Sequence, residues 1–296
     1  MTTTSPDRET TAERLLTAST RRSYDPLVAI DWEAPFTPGA FWMPPERSSL
    51  YGTELWAAMS HDQRVELTKH EVAGAASAGI WFETVLMQML IREFYDQDVT
   101  SRHAQYALAE VADECRHSIM FGRLIERLGV APTRASRRDH ALGRWLKATA
   151  TGAHMYASIL LAEEILDAFQ REVMADEALQ PLIRMVARIH VVEEARHVRY
   201  AREELVRQVE KSGPLRLAYS RIVIGQAAAA VISRLVHPDI YRAVGIDGSR
   251  GRAAALANPH FRATIRWSAA KAVEHLGRLG LVSGPALVYW RRAHLV

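Results

Sequence analysis

Asp113-Glu114-Cys115-Arg116-His117 and Glu193-Glu194-Ala195-Arg196-His197 spell one pattern twice, acid-Glu-x-Arg-His, within a chain of 296 residues. The inner Glu-x-x-His is weak by itself, because about one match arises by chance at this composition, whereas the full pattern is expected about 0.01 times. Two copies are therefore not an accident of composition. On an α-helix each residue turns about 100°, so a Glu and the His three positions later lie about 60° apart and one turn along the axis. Each stretch predicts a helix that presents a two-ligand clip to one cation.

The repeat also says where to look for partners. The step from Glu114 to Glu194 equals the step from Glu83 to Glu163, and the spacing from Glu83 to Glu114 is the same as that from Glu163 to Glu194. A duplicated helix pair would put one Glu on each of two helices and Glu-x-x-His on each of the other two, the pattern of di-iron or di-manganese sites in ferritin-like bundles. Glu164 would point about 100° away from Glu163, and His70 and Glu71 lie three turns or more from Glu83, so none of these joins the set. The halves differ at His190, which lies within about 40° of Glu194 and makes one stripe with Glu194 and His197. Its counterpart one repeat earlier is Glu110, read as a supporting group rather than a ligand. A third imidazole on one side would give one metal more nitrogen, an asymmetry better suited to oxygen chemistry than to storage; the bland alternative for His190 is a hydrogen-bonded core histidine.

An all-Glu/His donor set without thiolate suits iron or manganese. Two adjacent Fe(II) ions can together supply electrons to O2. Asp113 and Glu193 can accept the other ring N–H of a ligating His, and Arg116 and Arg196 stand three residues beyond to pair with them. Glu83 and Glu163 follow Ile80-Trp81-Phe82 and Ile159-Leu160-Leu161-Ala162, surroundings in which a carboxylate needs a partner. Cys115 reads as a small core filler. The small-residue run Val72 to Gly79 predicts close helix packing, with a substrate cavity beside Glu83 as its functional reading.

Helical periodicity extends outward from these motifs. Core helices are predicted over about 60–95, 101–128, 136–175 with a break near Gly143 or Gly152, and 181–211, with two more over about 215–236 and 259–279. Residues 1–22 form a polar lead-in, and the proline-punctuated stretch from Tyr24 to Tyr51 predicts an arm lying across the body through Trp32, Phe36, Phe41 and Trp42. The expected organisation is an N-terminal lead-in and arm, 1–59, and an all-α ferritin-like antiparallel bundle, 60–296, whose four core helices span about 60–213. One cysteine excludes internal disulfides and multi-thiolate metal sites. The 37 Lys and Arg are interspersed with 34 Asp and Glu, which argues against nucleic-acid or membrane binding. The apolar run Ile222–Ile232 is too short to span a bilayer and reads as a buried helix. A polar N-terminus without an apolar signal core points to a cytoplasmic protein.

At Phe82-Glu83, Asp113-Glu114-x-x-His117, Ala162-Glu163 and His190-x-x-x-Glu194-x-x-His197 the chain resembles the diiron N-oxygenases typified by the aureothin-pathway p-aminobenzoate N-oxygenase, over roughly residues 60 to 215. The resemblance implies a ligand set of Glu83, Glu114, Glu163, Glu194, His117, His190 and His197 around two Fe ions. It further implies a homodimer that uses O2 to oxidise an amine through hydroxylamine toward nitro, with an external electron donor such as a reductase or ferredoxin. Two alternatives keep the site: C–H hydroxylation or desaturation, and a ferritin-like iron-binding protein.

Overall fold

The structure, a computed structural model, describes residues 7–296; the first six residues of the lead-in lie outside the described residues. The helices are α1 (Arg8–Arg21), α2 (Pro26–Ala29), α3 (Glu54–Ala57), α4 (His61–Phe94), α5 (Arg102–Leu128), α6 (Arg137–Thr149) and α7 (Gly152–Ala175), then α8 (Pro181–Glu210), α9 (Pro214–Leu235), α10 (Pro238–Arg242), α11 (Gly248–Ala257), α12 (Pro259–Arg278) and α13 (Leu287–Arg292). No strand occurs among the described residues.

The core helices α4, α5, α7 and α8 start and stop where local chemistry dictates. Ser60 and Gln63 cap α4 reciprocally, the Ser60 hydroxyl accepting from the Gln63 amide and the Gln63 side chain accepting from the Ser60 amide. Ser101 caps α5, which ends at Gly129 with φ +65°. The long third run divides into α6 and α7 at Ala150–Thr151, where Gly152 takes φ +57°, a conformation that penalises any side chain. Gly143, the other candidate break, continues α6 and instead lets Trp81 of α4 pack where a Cβ would stand 2.7 Å from the indole.

From Ala153 to Leu161, α7 is buried on every side. It packs against α8 on one side and against α9 and α12 on others, so the C-terminal helices cover what would be its outer face. The α9 residues Val223, Ile224, Ala227, Ala228, Val231 and Ile232 are all buried. By length and composition α4 and the Pro214–Arg242 stretch could each cross a bilayer, yet half of each apolar window is buried within the bundle. Three short helices, α10, α11 and α13, have too little periodicity to be foreseen; a Cβ on Gly251 would stand 2.4 Å from the Tyr241 ring, so α10 and α11 meet only because that residue is glycine.

The N-terminal segment wraps this body. α1 lies along α5 and α8, with Arg8 donating to both carboxylate oxygens of Glu204 at 3.0 and 2.6 Å and the Thr11 hydroxyl donating to Glu203 at 2.7 Å. The arm then crosses the bundle, burying Trp32 and Trp42, with Phe36 edge-on to Trp42. The Gln180 amide at the start of α8 donates to the Phe41 carbonyl, and its side chain donates to the Thr37 and Ala40 carbonyls. Cys115 corrects a sequence expectation: it is exposed, its Sγ 3.4 Å from Met87 Sδ, because the α5 face opposite the buried stripe looks outward.

His103, buried at the start of α5, accepts from or donates to the Tyr200 hydroxyl at 2.7 Å. Burial, reinforced by Arg8, Arg207 and Lys211, lowers its pKa to about 3, against about 6.5 in an unfolded chain. Between those values only the unfolded chain takes up the proton, so this residue's contribution is complete above about pH 6.5 and falls as pH drops toward 3, by up to about 1.4 kcal/mol per pH unit. His103→Gln is expected to flatten the fall in urea midpoint between pH 7 and pH 5 relative to wild type; an unchanged slope would show that His103 already carries a proton when folded.

Candidate metal centre

The four core helices bring all seven sequence-selected residues together, none more than 4% exposed. Their donor atoms form three overlapping groups, each with atoms within 4.8 Å of one another: Glu114, His117, Glu194 and His197; Glu83, His117 and His190; Glu163, His190 and Glu194. His197 Nδ1 lies 3.0 Å from Glu114 and 2.9 Å from Glu194, and His117 Nδ1 lies 3.2 Å from each. His190 Nε2 sits 3.8 Å from Glu83 and from Glu194, so it joins the two halves of the cluster.

The donor set fits a pair of cations. Glu83 Oε1, Glu194 Oε2 and both ring nitrogens of His190 are buried without a hydrogen-bond partner among the described residues, which interiors rarely tolerate. Burial opposes ionisation of Glu114 and Glu194, but the adjacent imidazoles outweigh it and hold both carboxyls below their usual range. Burial pushes Glu83 and Glu163 up instead, and for Glu163 the charges of Glu194 and Glu114 add to it. Burial disfavours the charged forms of His117 and His197, yet the surrounding carboxylates raise both. Carboxyls pushed up by burial, beside imidazoles pushed up by the neighbouring Glu114 and Glu194, make a set that cations can satisfy.

The supporting acids are arranged across the motifs. His117 Nε2 contacts Glu193 at 2.8 Å and His197 Nε2 contacts Asp113 at 3.3 Å, so each acid serves the histidine of the other stretch. With Nε2 engaged there, Nδ1 of both rings is left facing the cluster. Arg196 donates to Asp113 at 3.0 Å, and Arg116 also pairs with Asp113. The Tyr24 amide donates to Glu193 at 2.9 Å, and Arg196 donates to the Arg22 carbonyl at 2.9 Å. Ser118, missed in the sequence, donates to Glu83 Oε2 at 2.6 Å; its position next to His117 was the available signal. Glu110 lies outside the three groups, buried, its carboxyl raised to about 8 by burial and, against the pull of His197, by the charges of Glu114, Glu194 and Asp113. The residues set aside are engaged elsewhere: Glu164 with Arg202, Glu71 with the Ser49 amide, His70 with Glu66.

A cavity of about 140 Å³ reaches the cluster at Glu83 and Glu163. Its walls are chiefly apolar, among them Phe82, Phe121 and Phe169, and the small residues Ala75, Ala76, Ala78 and Gly79 leave the room for it on α4. Gly74 in the same run instead packs against Ile240, so that stretch serves both readings. Arg234 of α9 also lines the cavity at 2% exposure; among the described residues its Nε and Nη1 have no hydrogen-bond partner, and Nη2 makes a 3.4 Å contact with the Thr133 carbonyl.

Residues 5–280 match the model of a family described as p-aminobenzoate N-oxygenase AurF. Uncharacterized proteins Mb0909 of Mycobacterium bovis and Rv0885 of Mycobacterium tuberculosis are each 29% identical over 204 residues, covering 65% of this chain and 59% of theirs. Thus the match spans less than two thirds of the mycobacterial proteins' length. Two solved structures of mutant R2-like ligand-binding oxidases, reconstituted with Mn/Fe aerobically or anaerobically, share the fold with a TM-score of 0.51 and 10% identity. They cover 91% and 93% of this chain respectively, and 93% of their own chains in both cases.

Asp113→Asn and Glu193→Gln preserve shape while removing the charge that holds each imidazole. Each is expected to weaken Fe(II) binding roughly 10- to 100-fold in an anaerobic titration, with helical content unchanged. Wild-type affinity in both variants would mean that these acids do not orient the histidines.

Proposed function

The chain belongs to the family of p-aminobenzoate N-oxygenase AurF, and from that premise we propose that this metal-dependent oxidoreductase is a diiron oxygenase that oxidises an amine at nitrogen, through hydroxylamine toward nitro. Glu83, Glu114, Glu163, Glu194, His117, His190 and His197 hold two iron ions in this reading. The ions, when bound, supply the redox capacity that activates O2.

The chain's own residues do the rest. Glu193 and Asp113 hold Nε2 of His117 and His197 so that Nδ1 points inward. Ser118 keeps one oxygen of Glu83 turned toward α5. Phe82, Phe121 and Phe169 exclude water from the chamber that orients the amine. The observation that carries the reading is the junction of this chamber with the cluster at Glu83 and Glu163, since iron storage needs no apolar room beside the metal. Arg234 adds a preference: a buried guanidinium that forms no ion pair among the described residues favours a substrate that carries an anionic oxygen group. The largely apolar walls also suit C–H hydroxylation or desaturation, which product analysis separates. The proposal includes a cytoplasmic homodimer that draws electrons from a reductase or ferredoxin.

Protein loaded anaerobically with two Fe(II) per chain and exposed to O2 with a panel of amines is expected to yield hydroxylamine or nitro products by mass spectrometry. Oxidation only at carbon would favour the alternative chemistry, and iron uptake without any organic product would favour storage. Arg234→Met should raise KM for carboxylate-bearing amines roughly 10-fold while leaving neutral amines within about 2-fold; equal effects on both would remove the anionic preference.

A further inference from the structure

Both motif histidines stand only a few hydrogen bonds from one patch of surface. From His117 Nε2 the route runs 2.8 Å to Glu193 and 2.9 Å onward to the Tyr24 amide. From His197 Nε2 it runs 3.3 Å to Asp113, 3.0 Å to Arg196 and 2.9 Å to the Arg22 carbonyl. Arg116, paired with the same Asp113, donates to the Ser23 hydroxyl at 2.9 Å. The segment Arg22-Ser23-Tyr24 thus covers both supporting acids, and Arg22 and Ser23 are themselves exposed.

The segment itself is cationic, between Glu13, which pairs with Arg102, and the exposed Asp25. From Arg14 through Tyr24 the chain has three arginines and no acid. Arg14, Arg21 and Arg22 are exposed and form no ion pair among the described residues. Arg14 and Arg21, two helical turns apart on α1, share one helix face at a spacing of about 10 Å. Helix α6 also exposes arginines, Arg137 and Arg138, but among the described residues no hydrogen bond links it to an acid that contacts a cluster histidine. Charge and connection to the cluster coincide at the end of α1.

We propose that the end of α1 and residues 22–24 form the docking face for an acidic one-electron carrier protein, and that Glu193 and Asp113 are the route by which its electrons reach the cluster. The proposal rests on reading that cluster as the iron site. No bond is made or broken in docking. The carrier loses one electron per encounter, and two encounters supply the two electrons that reduction of the ferric pair consumes. Charge complementarity sets the encounter rate and its salt dependence, and tight hydrogen-bonded contacts shorten the path.

The test uses the iron-loaded protein and a plant-type [2Fe–2S] ferredoxin, an acidic carrier, with calorimetry at about 50 mM and about 300 mM salt. Binding should weaken with salt. Arg14→Glu combined with Arg21→Glu should weaken it roughly 10-fold or more, whereas Arg137→Glu combined with Arg138→Glu on α6 should change it less than about 2-fold. Reoxidation of the reduced ferredoxin should slow in parallel in the α1 variant, while reduction by dithionite, which needs no docking face, stays at the wild-type rate. Equal losses in both double variants, electron transfer at the wild-type rate in the α1 variant, or no ferredoxin binding to iron-loaded protein would each overturn the docking face and leave the iron reading intact. Failure to take up iron, seen in the loading step itself, would sink the iron reading separately.

Discussion

Carboxylates buried among apolar helices must be compensated, because each ion left unpaired there costs several kcal/mol. Glu83, Glu114, Glu163 and Glu194 are sealed within α4, α5, α7 and α8, and much of the surrounding architecture answers that constraint. Three imidazoles face the carboxylates, two more acids hold two of those imidazoles, and Arg196 and Arg116 offset the acids. The compensation reaches the surface through the backbone at Arg22 and Tyr24. The N-terminal segment is therefore part of the site's electrostatic support, although the whole proline-punctuated arm separates it from Glu83, the first candidate ligand.

The cluster is polarised. Toward Glu83 and Glu163 the wall is apolar and opens into the cavity, and His190 stands on that side. Toward Asp113 and Glu193 it is dense with hydrogen bonds and charge. The proposed oxygenase reading uses this separation, with substrate on the apolar side and electrons arriving through the polar side. The C-terminal helices contribute to the first half of the arrangement, since Arg234 of α9 and Phe261 of α12 line the cavity together with residues of the four core helices.

Much of this was legible in the chain, and what was hidden has identifiable causes. The five-residue repeat and its constant offset select Glu83 and Glu163 because helical periodicity converts spacing into direction. Capping residues locate α4 and α5 to within a residue, since Ser60 and Ser101 act on their own backbone. Cys115 was misplaced because a small apolar residue within a buried motif can still fall on the outward face. Ser118 escaped notice because a hydroxyl beside a ligand has no periodic signature, and Arg234 because nothing local distinguishes a buried arginine from a solvated one.

By itself the sequence determined the all-α class, the helix boundaries at capped ends, and which seven side chains share inward stripes, all consequences of interactions within about one helical turn. Only the tertiary structure decided that Asp113 supports His197 and Glu193 supports His117, that Arg22 and Tyr24 close over those acids, and that Arg234 reaches the chamber. Those pairings join helices whose relative rotation and depth no local spacing encodes, so they exist only once the bundle has packed.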